Sequence, residues 1–369
     1  MISALRNILQ KSHRFNLYFL FFYGLSLLIF ACSDENNVRH AQLKPIHTFT
    51  LPAEISNQPW VPGDFLVTSR DELIFSDIAF HRLLTFDNSG NLKKITGSAG
   101  REPGTFITPI DLGQFSDTLA VWDAQNRRVQ LFDLNGVFSR IMIPEPNIGF
   151  NSKTFDPGGN LYYATGGFRA DSLIYAYNSI GEFFKTMGGL EAPRQDVRDL
   201  IGMRMEFKNK RWPAFYKNNV LLCAPTQETL FVAHNYLPLV KGFKTDGTLL
   251  FKKALKIPYL EQLRESVLNA DSTLAGSLES IPAFWKDISA DPTGGVYLLL
   301  NFDNLVIYHF NKAGELIEKL EAPTGKIDFI HVSHDVLWTV SNETPLRVTS
   351  YSLSQFLEIE SSLCSFTAP

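Results

Sequence analysis

The stretch LTFDNSGNL, residues 84–92, reads as the end of one strand, a polar turn with a glycine, and the start of the next strand. The same phrase returns at 129–138 (VQLFDLNGVF), 174–184 (IYAYNSIGEFF), 240–251 (VKGFKTDGTLLF) and 306–317 (VIYHFNKAGELI). Its glycines, Gly90, Gly136, Gly181, Gly247 and Gly314, are separated by about 46, 45, 66 and 67 residues. This recurrence is typical of β-propeller blades, two of them followed by insertions of roughly 20 residues.

The apolar runs between the landmarks predict an all-β fold, a single six-bladed β-propeller over residues 46–369 with four antiparallel strands per blade. Its insertions are expected near 190–218 and 257–285. The strand signals end near Leu353 and leave the sixth blade one strand short. An unpaired sheet edge is costly, so we expect the spare strand at 46–51 to close the outer edge of that blade.

The first 31 residues have the features of a signal peptide. Basic residues precede an apolar run from 15 to 31, which is shorter than the roughly 20 residues that cross a bilayer comfortably. The run ends in LIFAC, residues 28–32, which resembles a bacterial lipobox. The resemblance implies lipidation at Cys32, followed by a flexible tether over 32–45. The alternative is a membrane helix that contains a cysteine by chance.

Composition excludes some functions. The net charge is -4 with acidic and basic residues intermixed, so a nucleic-acid partner is not expected. Aromatic residues make up 13%, which suits strands buried on both faces. Apart from Cys32, only Cys223 and Cys364 are present, too few for a disulfide framework. We expect Cys223, within VLLCAP, to be a buried thiol, and its pairing with Cys364 stays open.

A polar residue followed by an apolar one recurs at the predicted start of the innermost strands. The positions are Asp64, Asp111, Asn219, Asp287 and Asp328, with Asn151 the nearest equivalent in blade three. Because innermost strands line the channel, these residues predict a polar ring at one channel mouth that could hold Ca²⁺ or another hard cation. The alternative is that each side chain accepts hydrogen bonds from backbone N–H groups of its own turn.

The first insertion, 191–219, mixes basic and aromatic residues. Its ligand-binding candidates are Arg204, Lys208, Arg211, Trp212 and Tyr216. Guanidinium groups beside aromatic rings suit an anionic small molecule, a glycan or a protein partner. The alternative is a lid or hairpin packed on the blade face. The second insertion contains LEQLRESVL, residues 260–268, whose apolar spacing predicts a short helix.

Nothing in the sequence gives positive support for catalysis. His331 and His334 would face opposite sides of a strand, which disfavours a zinc pair. A nucleophile elbow, a P-loop and an HExxH motif are all missing from the sequence.

Blade two carries a resemblance to a known repeat. GSAGREPGTF at 97–106, Pro109 and LAVWDAQNRRVQLFDLNGVF at 119–138 resemble an NHL repeat. Together with the lipobox, the chain resembles the six-bladed propeller lipoproteins of Bacteroidota, which are related to TolB-like propellers. The acidic segment after Cys32 also resembles the surface-export signal of lipoproteins from that group.

The resemblance implies a lipid-anchored protein of the outer membrane, facing the periplasm or the cell surface. Its expected role is a non-enzymatic ligand-binding or protein-interaction scaffold. The alternative function is a metal-dependent lactonase or lyase that uses the Asp ring.

Overall fold

The computed structural model describes residues 38–52, 55, 61–145, 150–166, 171–191, 209, 211, 214–256, 283–301, 305–323, 325–343 and 345–358. In these ranges, no helix has the length and apolar character needed to span a membrane.

The chain forms strands in successive groups of four. The first strand, β1, is Arg39–Thr50. The first group is β2 (Pro62–Val67), β3 (Leu73–Asp77), β4 (Arg82–Phe86) and β5 (Leu92–Thr96). The second is β6 (Pro109–Phe115), β7 (Thr118–Asp123), β8 (Arg128–Asp133) and β9 (Phe138–Met142). The third is β10 (Phe150–Phe155), β11 (Leu161–Gly166), β12 (Ile174–Asn178) and β13 (Phe183–Met187).

A short helix, α1 (Ala214–Asn218), precedes the fourth group. That group is β14 (Val220–Cys223), β15 (Thr229–His234), β16 (Leu239–Lys244) and β17 (Leu249–Ala254). The fifth is β18 (Trp285–Ala290), β19 (Val296–Leu300), β20 (Val306–Phe310) and β21 (Leu316–Glu321). The last strands are β22 (Phe329–Ser333), β23 (Val336–Ser341) and β24 (Arg347–Glu358).

The sheet topology confirms an all-β propeller with four-stranded blades. The first four groups are separate sheets, each in sequence order from its first strand to its fourth. The remaining strands form one eight-stranded sheet, ordered β18-β19-β20-β21-β1-β24-β23-β22. Within the part of the chain that the structure describes, four separate four-stranded sheets are present where six were expected, because β1 joins the last two groups into one sheet.

Strand β1 pairs antiparallel with β24, from Thr50 opposite Arg347 to Ala41 opposite Glu358. This is the edge at which the spare strand was expected. The same strand also pairs parallel with β21, where Arg39 lies opposite Glu318. Its start at Arg39 shows that the expected tether over 32–45 was too long, since residues 39–45 belong to a strand.

The core lies between neighbouring blades. One apolar cluster joins Phe75 and Leu84 of the first blade to Val340 and Val348 of the last. Another places Tyr163 of the third blade against residues of the fourth. Since each blade buries its faces against its neighbours, the strands are apolar on both faces, as their sequences predicted.

The turn glycines have the backbone conformation that their sequence motif predicts. Gly90 has φ +88°, which side-chain-bearing residues rarely adopt, and a Cβ at this position would lie 2.3 Å from Cδ2 of Phe49. Phe49 belongs to β1, so this turn also contacts the strand that completes the last blade.

Residues of the segment that resembles an NHL repeat, 97–138, form a buried polar cluster. Asp123 accepts hydrogen bonds from the Ile107 N–H at 2.7 Å, from Asn126 at 2.7 Å and from Arg128 Nε at 2.9 Å. The guanidinium of Arg128 also donates to the backbone carbonyls of Arg101, Glu102 and Thr105. The motif therefore ties the connection between the first two blades to blade two.

Candidate functional site in the central channel

The innermost strands enclose a cavity of about 600 Å³. Residues from all of β2, β6, β10, β14, β18 and β22 line it, so it is the central channel of the propeller. Its volume is in the range of small-molecule sites.

Three carboxyl groups of the predicted ring face this channel, those of Asp64, Asp111 and Asp287. Each follows a break in strand pairing of the kind that a β-bulge produces, at Pro62/Asp64, Pro109/Asp111 and Trp285/Asp287. A bulge redirects a side chain that regular pairing would place elsewhere. The three carboxyls therefore occupy equivalent positions in their blades.

Asp64 and Asp287 each connect two blades. Asp64 accepts from the N–H of Phe65 at 2.7 Å and of Leu112, in the next blade, at 2.7 Å. Asp287 accepts from the N–H of Ile288 at 2.8 Å and of Ile330 at 2.7 Å. The expected backbone role is therefore present for these two residues, and it extends to the neighbouring blade.

The environment of these carboxyls makes ionisation harder. Burial raises the pKa of Asp287 to about 7, against the backbone hydrogen bonds that lower it. Burial, with repulsion from Asp287 and Asp111, raises the pKa of Asp64 well above its usual range. Both side chains keep part of their surface open to the channel. The carboxyl of Asp287 can therefore hold a proton near neutral pH, and a nearby positive charge would favour its ionised form.

Lysines accompany the carboxyls. Lys153 contacts Asp111 and lies over the ring of Trp122, 5.4 Å from its centroid. Lys286 contacts Asp328, on the adjacent blade. Lys153 therefore brings a positive charge into the channel beside Asp111, and Lys286, although paired with Asp328, also lies close enough to Asp287 to lower the pKa of that carboxyl.

Two residues that were predicted to belong to the ring, Asn219 and Asp328, do not occupy the ring positions. The N–H of Ile330 donates to Asp287 just as the N–H of Leu112 donates to Asp64. Because Asp111 directly precedes Leu112, the equivalent residue in the last blade is the one that precedes Ile330, which is Phe329 and not Asp328. The N–H of Leu222 donates in the same way to Ser152 Oγ, at 3.0 Å. The ring position is therefore occupied by Ser152 in the third blade and by Leu221, not Asn219, in the fourth.

Asn219 and Asp328 have structural partners instead. Asn219 accepts from Asn235 at 2.8 Å, and Asp328 contacts Lys286 and Lys326. The inner strands that follow them, β14 and β22, pair without a bulge. Because the prediction assumed the same spacing from the turn glycine in every blade, it chose the wrong residue in these two blades. The prediction of a ring at these two positions was wrong.

Aromatic residues line much of the wall. Phe115 and Phe155 have ring centroids 4.9 Å apart, and Phe155 lies 4.8 Å from Tyr162. Cys223 also lines the channel and has no disulfide partner among the described residues; burial with the nearby Asp287 charge raises its pKa to about 12. His331, on β22, also lines the channel, and burial lowers its pKa to about 4. At neutral pH the channel therefore offers a neutral thiol and a neutral imidazole.

No three His, Cys, Asp or Glu side chains within the described ranges are grouped closely enough to hold a metal ion. The carboxyls of Asp64, Asp111 and Asp287 line the channel without forming a ready cage of ligands. Binding of Ca²⁺ there stays a prediction.

Most of the insertion candidates lie outside the described residues, namely Arg204, Lys208 and Trp212. Arg211 is exposed. Tyr216 is only 4% exposed and packs edge-to-face on Tyr236, with centroids 4.7 Å apart. Tyr216 is part of α1 and its side chain is buried, so the prediction of an exposed ligand contact at this residue was wrong.

Other sequence predictions also fall outside the described residues. They are the signal peptide with Cys32, the helix predicted over 260–268, and Cys364 with its possible pairing.

Comparison with known proteins gives structural similarity only. The sequence matches no known protein family and no curated protein. Among solved structures it is similar to virginiamycin B lyase from Staphylococcus aureus, with 12% identity, TM-score 0.47, and coverage of 83% of this chain and 88% of the other. It is also similar to U3-55K, with 12% identity, TM-score 0.48, and coverage of 83% and 99%. Likeness at this level carries no argument about ligand or reaction.

Proposed function

We propose that this protein is a lipid-anchored lipoprotein of the outer membrane whose propeller is a non-enzymatic binding module. It has six blades if the two halves of the eight-stranded sheet are counted as blades five and six. The anchor is Cys32, as its lipobox-like context suggests, and the folded part faces the periplasm or the cell surface.

The binding site is the central channel. The observation that carries this proposal is the cavity of about 600 Å³ whose mouth has the carboxyls of Asp64 and Asp287 and whose wall is aromatic. Oxygen acceptors beside flat apolar surfaces suit a small molecule with a positively charged or hydrogen-bond-donating group and an apolar part. A glycan or a protein segment that presents such a group would fit the same chemistry.

A channel-blocking variant tests the site. Gly113 lines the channel, and a Cβ there would meet only Phe155, at an ordinary 3.8 Å. Gly113→Phe should therefore fill the channel with little backbone movement. Screening Ca²⁺, alkylammonium salts, amino acids and sugars by thermal shift should give compounds that raise the Tm of the native protein and not that of the variant.

Gly189→Phe is the matched control, since a Cβ at Gly189 has nothing within 4 Å and this residue does not line the channel. Its response to each compound should equal that of the native protein. Compounds that stabilise the Gly113 variant as well as the native protein would contradict the channel site. The first insertion, with Arg211, would then become the place to search.

A lactonase- or lyase-like activity is the second candidate. It is favoured by the carboxyl of Asp287, since a pKa of about 7 suits a proton donor or acceptor at neutral pH. An enzyme would convert the bound compound during prolonged incubation, and Asp287→Asn would abolish turnover while retaining binding. A binding module returns the compound unchanged.

A further inference from the structure

One carboxyl of the channel has an ammonium partner from within the chain. Asp111 contacts the ammonium group of Lys153, which lies on the inner strand of the next blade. The Lys153 side chain is only 4% exposed, and its Nζ lies over the ring of Trp122, the residue paired with Asp111 across β6 and β7. This lysine therefore shows how the channel holds a primary ammonium group: a carboxylate binds the charged end while the alkyl stem is buried.

Asp64 occupies the equivalent position in the first blade without such a partner. Lys153 directly follows the ring position of its blade, and the residue that does so in the blade next to Asp64 is Leu112. Burial, with repulsion from Asp287 and Asp111, raises the pKa of Asp64 well above its usual range. In the part of the chain that the structure describes, no basic side chain forms an ion pair with Asp64. The chain thus leaves the charge of this carboxyl unbalanced.

Hydrogen-bond acceptors remain available at Asp64. Its Oδ1 accepts the N–H of Phe65 and its Oδ2 that of Leu112, and each carboxylate oxygen can accept a second donor. Ser76, paired with Asp64 across β2 and β3, is fully buried, and its Oγ has no hydrogen-bond partner among the described residues. This Oγ lies 2.8 Å from the place that a Cβ would take on Gly63, a residue that lines the channel. A buried hydroxyl without a partner is costly, so a donor that reached it would be stabilised.

We infer that Asp64 binds the ammonium group of a small primary amine, as Asp111 binds that of Lys153, with Ser76 as a further acceptor. The inference rests on the proposed binding function of the channel and names the class of its ligand. A primary ammonium has three N–H donors, enough for two carboxylate oxygens and a hydroxyl. A quaternary ammonium has none, and Ca²⁺ would need roughly six to eight oxygen ligands. The cavity of about 600 Å³ suits a small molecule with an apolar stem.

Calorimetric titration of the native protein tests the ligand class. The probes are hexylamine, N,N,N-trimethylhexylammonium and hexanol, which share one apolar stem, at about pH 8, where alkylamines are protonated. Hexylamine should bind at least about tenfold more tightly than the other two, because only its ammonium donates hydrogen bonds to a charged acceptor. Equal affinity for hexylamine and the trimethyl compound would overturn the inference, since charge and stem alone would then explain binding.

Two variants test the residues. Leu112→Lys supplies Asp64 with an internal ammonium group, so its affinity for hexylamine should fall at least about tenfold. Leu112→Met is the matched uncharged control and should bind hexylamine as the native protein does. Ser76→Ala removes an unpaired buried hydroxyl, so Tm should stay the same or rise while hexylamine binds at least about threefold more weakly. An unchanged affinity in Ser76→Ala would overturn the assignment of Ser76.

Failure of this inference can be told apart from failure of the channel site. Suppose that Gly113→Phe blocks the binding of other compounds, while Leu112→Lys binds hexylamine as well as Leu112→Met does. The channel would then be a binding site, but the ammonium site at Asp64 would be refuted. If Leu112→Lys does not fold, the comparison of the three probes in the native protein decides by itself.

Discussion

Removal of a buried side chain from β1 tests whether this strand completes the last blade. Leu43 is 1% exposed and lies in the cluster that joins the last two blades, with Leu320 and Tyr351. Leu43→Ala should lower the free energy of unfolding by about 3 kcal/mol, within the range for buried leucine. Ile46 lies on the same strand, is 59% exposed, and its replacement by alanine should change stability by less than about 0.5 kcal/mol.

The loss can be converted to a melting temperature. Unfolding entropy is about 2.1 cal/mol/K per residue, so a domain spanning residues 38–358 has about 0.7 kcal/mol/K in total. A loss of 3 kcal/mol therefore lowers Tm by about 4 °C, which calorimetry resolves easily. Equal and small effects of Leu43→Ala and Ile46→Ala would refute the packing of β1 against the last two blades.

Two further predictions concern buried charge. Arg128→Met leaves Asp123 buried without its guanidinium partner and should cost about 3–5 kcal/mol in urea unfolding, whereas Lys93→Met, at an exposed pair, should cost less than about 1 kcal/mol. Similar costs for the two would show that the NHL-like cluster is not structural. The raised pKa of Asp287 means that the folded state binds the extra proton, so stability should fall as the pH rises from about 4 to about 7. Asp287→Asn should flatten this part of the Tm profile, and an unchanged slope would argue against the assignment.

The sequence predicted the repeating structure well because the turns determine it locally. A glycine with positive φ is needed wherever the third strand of a blade turns tightly into the fourth, as at Gly90 and Gly314. The missing strand of the last blade was also predictable, since a sheet edge has to be paired. The earlier start of β1, at Arg39, was not, because its parallel pairing with β21 is a long-range contact without a local signal.

The candidate site was predicted only in part. Asp64, Asp111 and Asp287 reach the channel because a bulge precedes each of them, and a polar residue before an apolar one does not reveal a bulge. Asp328 shows the same sequence pattern just before the regular strand β22 and forms ion pairs instead. The hydrogen bonds of His309 to Asp291 and Glu318 could not be predicted from the sequence either, because these residues come together only through the register of the sheet.

Protection of Cys223 tests the central claim most directly, because this thiol lines the channel. In a Cys364→Ser chain, the rate of its modification by methyl methanethiosulfonate at pH 9 reports access to the channel. A ligand bound in the channel at saturation should slow the reaction at least about tenfold, and the Gly113→Phe variant should be slow without ligand. An unchanged rate with the ligand fully bound would contradict a binding site in the channel.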